Sequence, residues 1–163
     1  MKKGLYIIAT VLMLFFSCIQ EEASNPILPE IGFGVSKAVV LSNEQNILEK
    51  ENDSVLTYYS EKTNQQISYA FKNDSLVAIS IVFDEKADSK HIKRILDNVY
   101  IPITPEYRSY YYCTPDRKRI VILSENDVFG LNILFVPYDF NDNNSDNKHT
   151  LQSIYISGIE KFY

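Results

Sequence analysis

The chain has 163 residues, with 16 basic and 21 acidic side chains and a formal net charge of −5. That balance argues against nucleic acid as a partner and against direct attraction to anionic lipid headgroups. With only two cysteines and two histidines, the chain has little from which to build a disulfide framework, a zinc site or a histidine-based triad.

Lys2 and Lys3 precede an apolar run from Leu5 to Phe16, broken only by Thr10. The run is too short to span a bilayer with ease and reads as a secretory signal. It ends at Leu14-Phe15-Phe16-Ser17-Cys18, which resembles a bacterial lipobox, where a small residue precedes the cysteine that becomes the lipidated first residue. Residues 1–17 are expected to be a lipoprotein signal peptide and Cys18 the lipidation site. Phe15 and Phe16 depart from the aliphatic and small residues of the strict pattern. Glu21 and Glu22 follow the cysteine closely and resemble the export signal that takes some Gram-negative lipoproteins to the outer face of the outer membrane. An outer-membrane location follows, with the cell surface and the periplasmic face both open. Residues 18–30, polar and punctuated by Pro26 and Pro29, read as a flexible tether.

Loss of Lys2 and Lys3 with the signal leaves a net charge of about −7, so lipid rather than charge is expected to hold the protein at the membrane. With Cys18 acylated, Cys113 has no partner within the chain and reads as a small buried residue. Residues 31–163 are expected to form one domain with its own core.

Within it, Ser36 is placed to cap a short helix, and Val35 and Val40 stand at the spacing of a hydrophobic staple. The stretch from Ser42 to Asp53 is polar and charged and carries no clear pattern. Val55 to Tyr59 reads as a strand. Ile67, Tyr69 and Phe71, then Val77, Ile79, Ile81 and Phe83, alternate on either side of Asn73-Asp74-Ser75, the mark of a half-buried β-hairpin. Beyond it, Asp88 or Ser89 caps a helix whose Ile92, Ile95, Leu96 and Val99 form one apolar stripe, and Pro102 bars its continuation. Tyr107 to Cys113, Arg119 to Leu123 and Val128 to Val136 read as three more strands, and Leu151 to Ser157 as a last strand-like run.

The two halves echo each other at a constant offset. Tyr58-Tyr59 matches Tyr111-Tyr112, Ile67 matches Ile120, and Asn73-Asp74 matches Asn126-Asp127. The expected fold is α+β: an antiparallel sheet with short helices on one face, built from two tandem α-β-β-β repeats at about 31–84 and 85–163. A lipoprotein signal followed by Phe33-Gly34-Val35-Ser36-Lys37, a short helix and an antiparallel meander resembles the small outer-membrane lipoproteins of the BamE/SmpA type. The duplication resembles the β-lactamase-inhibitor-protein arrangement. The resemblance implies a protein-binding scaffold and no catalytic residue.

No catalytic residue, metal site or cofactor is expected. His91 and His149 stand in no metal-binding or catalytic spacing. In the Asp139 to Asp146 loop, Asp139, Asn141 and Asn143 follow an EF-hand-like spacing, but Asn144 replaces the turn glycine and Thr150 the bidentate glutamate. Tyr107, Tyr110, Tyr111 and Tyr112 form the candidate binding face, with Tyr110 and Tyr112 on one side of a strand and Tyr111 on the other, so that one set is core and the other exposed. Asp53-Ser54-Val55 and Asp74-Ser75-Leu76 resemble bacterial O-glycosylation sites and mark Ser54 and Ser75 as candidates. The function expected is a lipid-anchored, non-catalytic binding module with a protein or glycan partner. The alternatives are a periplasm-facing accessory of outer-membrane assembly and a hydrolase of surface polysaccharide.

Overall fold

The hairpin that dominates the sequence forms the inner two strands of one half of a larger sheet. A computed structural model describes residues 32–84, 86–106, 109–126, 130–138 and 151–162. In chain order it runs α1 (Lys37–Asn43), β1 (Ile47–Glu51), β2 (Val55–Ser60), β3 (Gln65–Lys72), β4 (Ser75–Phe83), α2 (Ser89–Val99), β5 (Ile101–Glu106), β6 (Ser109–Cys113), β7 (Arg119–Asn126), β8 (Gly130–Pro137), α3 (Leu151–Ile159) and a 3-10 turn (Glu160–Phe162). The eight strands form one antiparallel sheet in the order β1-β2-β3-β4-β8-β7-β6-β5. The fold is thus mixed α+β and mostly sheet.

The β3–β4 turn is tight because Asn73 and Asp74 both take left-handed backbone angles, φ 52° and 59°, the pair of conformations that matches the twist of the flanking strands. Asp74 has a second role. Its Oδ1 accepts the Lys37 N–H at 3.0 Å and so caps α1 from outside. Ser36, expected to do this, occupies the cap position but makes no side-chain cap bond. Helix α2 starts as its sequence requires, with the Lys90 N–H donating to Asp88 Oδ1 at 3.0 Å.

Both faces of the sheet are packed. On the first face, Val40 of α1 and Ile92 and Leu96 of α2 close over Leu56, Tyr69, Ile79, Ile81, Val121 and Phe135. On the second, α3 and the 3-10 turn bring Ile154, Tyr155, Ile159 and Phe162 against Val55, Ala70, Ala78, Ile120, Leu134 and Val136. A methyl group on Gly158 would stand 2.6 Å from Leu134 Cδ2 and 3.3 Å from Val136 Cγ1. Glycine therefore lets α3 settle directly onto β8, where a larger residue would have to push the Leu134 side chain aside.

Four expectations are corrected. Helices cover both faces rather than one. Leu151 to Ser157 lies in a helix, because Ile154, Tyr155, Gly158 and Ile159 follow a helical stripe that outweighs the short alternation of Ile154 and Ile156. Each run of strands has four members, not three: β1 and β5 are the sheet edges. Strand β1 is exposed along its whole length, so it carries no buried alternation to read. Strand β5 contains Pro102 and Pro105 with a register irregularity between them, which only an edge strand accommodates. Finally, the constant offset pairs residues from opposite faces. Tyr58 lies in the first core and Tyr111 in the second, a one-residue slip that reverses every side chain.

Candidate functional site

The second sheet face is apolar where α3 covers it and polar beyond. Cross-strand register sets Thr57 beside Ser68 and Ser68 beside Ser80. The next row sets Gln66 beside Val82 and Val82 beside Asn132. The Thr57 and Ser68 hydroxyls share a hydrogen bond at 3.1 Å. Farther along, Ser109 Oγ donates to Ser124 Oγ at 3.1 Å. Strand alternation alone puts these groups on one side, because their neighbours Ile67, Tyr69, Ile79, Ile81 and Ile133 fill the first core.

Against this polar floor lies a pocket of about 270 Å³, bounded by Glu49 and Lys50 of the edge strand and by Ile159 and Phe162 at the end of the chain. Gln66 Nε2 donates to Glu49 Oε2 at 3.0 Å, which ties the floor to the edge. Within the 3-10 turn, burial first and the Lys72 ammonium second hold the Lys161 pKa below its ordinary value.

Asn132 is the exceptional member of this floor. It lines the pocket and is 0 % exposed. Its Nδ2 donates to the Gly130 carbonyl at 3.3 Å, while its Oδ1 has no hydrogen-bond partner among the described residues. A buried carbonyl oxygen left without a donor is unfavourable by about 1–3 kcal/mol. Sequence reading passed over Asn132, yet a signal was present: one asparagine inside Leu131-Asn132-Ile133-Leu134-Phe135-Val136, where strand composition favours apolar residues.

The tyrosine face is much reduced. Tyr110 is 41 % exposed, whereas Tyr111 and Tyr112 are buried at 3 % and 1 %. Alternation placed Tyr111 and Tyr112 on opposite faces, and since both faces are covered there, both rings are core. Lys93 Nζ stands 5.0 Å from the centre of the Tyr110 ring. The Tyr112 hydroxyl donates to Asp97 Oδ1 at 3.0 Å. Asp97 also accepts from Lys93 Nζ at 2.7 Å, and that bond is the main cause of its lowered pKa.

Ser54 is exposed in the β1–β2 turn and Ser75 half-buried at the start of β4. Cys113 is buried and unpaired. His91 is exposed in the first turn of α2, its Nδ1 2.9 Å from Arg94 Nη2. Cys18, Tyr107, the 139–147 loop and His149 lie outside the described residues, as do the signal and the tether. Among the described residues, no group of three or more His, Cys, Asp or Glu side chains is placed to hold a metal ion, and no helix is long and apolar enough to cross a membrane. No protein-family model, curated protein or solved structure matches the chain.

Proposed function

We propose that the chain is a lipid-anchored, non-catalytic binding module of the cell envelope, moored through Cys18, with its ligand site in the pocket on the second sheet face. The observation that carries the site is the Asn132 Oδ1, buried in the pocket floor without a donor. A floor of hydroxyls and carboxamides supports holding a ligand over moving protons, since none of these groups titrates near neutral pH. The scaffold is read as a tandem of α1–β4 and α2–β8, each a helix followed by four strands. The sheet order, symmetric about the β4–β8 pairing, supports this reading, and such a tandem is what the resemblance to duplicated BamE/SmpA-type units implies.

Two experiments test the proposal. Asn132→Leu is expected to raise stability by about 1 kcal/mol in urea denaturation, because it removes an unpaired buried oxygen at the loss of one long hydrogen bond. A loss of more than about 1 kcal/mol would mean that the carboxamide serves the fold, and the site assignment would fall. For the anchor, Cys18→Ala is expected to move the protein from the membrane to the soluble fraction. Unchanged membrane association would rule out the lipid mooring. Protease treatment of intact cells then decides which membrane face carries the domain.

A further inference from the structure

From the chemistry of the pocket, and resting on its assignment as a binding site, we infer that its ligand is a neutral carbohydrate: one sugar ring, free or at the end of a glycan. The pocket floor carries no charge. Thr57, Ser68, Ser80, Gln66 and Asn132 offer hydroxyls and carboxamides, and the two charges at the rim, Glu49 and Lys50, are opposite in sign. A charged ligand buried there would lose its hydration without a counter-charge to replace it.

Hydroxyls that rotate to donate or accept, set among carboxamides that do both, match a ligand whose polar groups are themselves hydroxyls. The oxygen of Asn132 needs a donor, and a sugar hydroxyl supplies one. Across from the floor, Ile159 and Phe162 give an apolar wall, suited to the C–H face of a pyranose ring. The volume of about 270 Å³ is at the small end for ligand sites and suits a single ring better than a longer chain.

An extended peptide is disfavoured by the backbone. Strands β3 and β4 each pair on both sides, so the floor has no free main-chain groups with which to add a strand. Recognition must come from side chains.

The test uses the full chain purified in detergent, with the side-chain amide resonances of Asn132 and Gln66 followed by NMR. The probes are the methyl glycosides of glucose, galactose, mannose, fucose and N-acetylglucosamine, with N-acetyl-trialanine amide as the peptide comparator. At least one glycoside is expected to shift both resonances, and Gln66→Ala and Asn132→Leu are each expected to weaken that glycoside at least tenfold. Gln66 lies at the exposed end of the floor, so its variant tests binding at a position where the fold is not at stake. Silence from all five glycosides, or binding that neither variant weakens, overturns the carbohydrate assignment. Peptide binding at the same resonances without glycoside binding also overturns it, while leaving the pocket as a binding site. Loss of stability in Asn132→Leu is the separate result that removes the site itself.

Discussion

Phe135→Ala is expected to lower the free energy of unfolding by about 3–5 kcal/mol, the range for truncating a buried phenylalanine. Phe135 is 2 % exposed and sits on β8 between Ile79 of β4 and Val121 of β7. Its ring meets Tyr100, the residue that ends α2, edge to face with centroids 6.4 Å apart. Such a pair adds about 0.5–1.5 kcal/mol beyond the buried area. Position magnifies the effect. The β4–β8 seam has four residue pairs in register against eight each for β3–β4 and β7–β8, so the join between the two four-strand meanders depends on side chains more than on backbone bonds. Domain stabilities are typically about 5–15 kcal/mol, which makes this loss a large part of the whole. The urea midpoint should fall with little change in slope. A loss below about 1 kcal/mol would show that the seam closes over the gap and that the ring does not hold it. Tyr110→Ala, at the one tyrosine of β6 that stays 41 % exposed, should stay within about 0.5 kcal/mol of the parent.

How far the fold could be read from the sequence depended on burial. The β3–β4 hairpin was legible because Ile67, Tyr69, Ile79, Ile81 and Phe83 face one core and their intervening neighbours do not. Helix α2 was legible because its cap, Asp88, and its stripe, Ile92 and Leu96, act within one short segment. Edge strand β1, and β5 over Ile101 to Ile103, bury too little to leave an alternating trace. In α3, two isoleucines spaced as in a strand masked a stripe spaced as in a helix. The tyrosine run misled for a related reason: alternation tells which face a residue takes, but not whether that face is covered. The pocket was the least legible feature. Its floor is assembled from β2, β3, β4 and β8, one or two residues from each, and no local pattern links Thr57, Ser68, Ser80 and Asn132 before the sheet brings them together.

The buried tyrosines that stiffen the first core also set an alkaline limit on the fold. Burial raises the pKa of Tyr69 and Tyr112 well above 10.0, reinforced by the hydrogen bonds their hydroxyls donate to Glu44 and Asp97. Tyr100 is pushed up to about 12 by burial, against a smaller lowering by Arg119. A folded-state pKa above the unfolded one means that these groups contribute their full stabilisation below pH 10. As pH rises further, the unfolded chain releases phenolic protons that the folded chain keeps, and stability falls. Each such tyrosine removes about 1.4 kcal/mol per pH unit between its two pKa values, so Tyr69 and Tyr100 alone give about 3 kcal/mol per unit between pH 10 and 12, and Tyr112 steepens the fall further. The expected result is cooperative unfolding within that window, with tyrosinate absorbance from these rings rising together with the loss of sheet circular dichroism. Tyr69→Phe removes one titrating group and the bond to Glu44, and should flatten the slope by about 1.4 kcal/mol per unit while lowering stability at neutral pH. If instead all phenols ionise near pH 10 with the sheet intact, hydroxide reaches those rings in the folded state, and the packing of α1 and α2 over the first face is looser than their burial indicates.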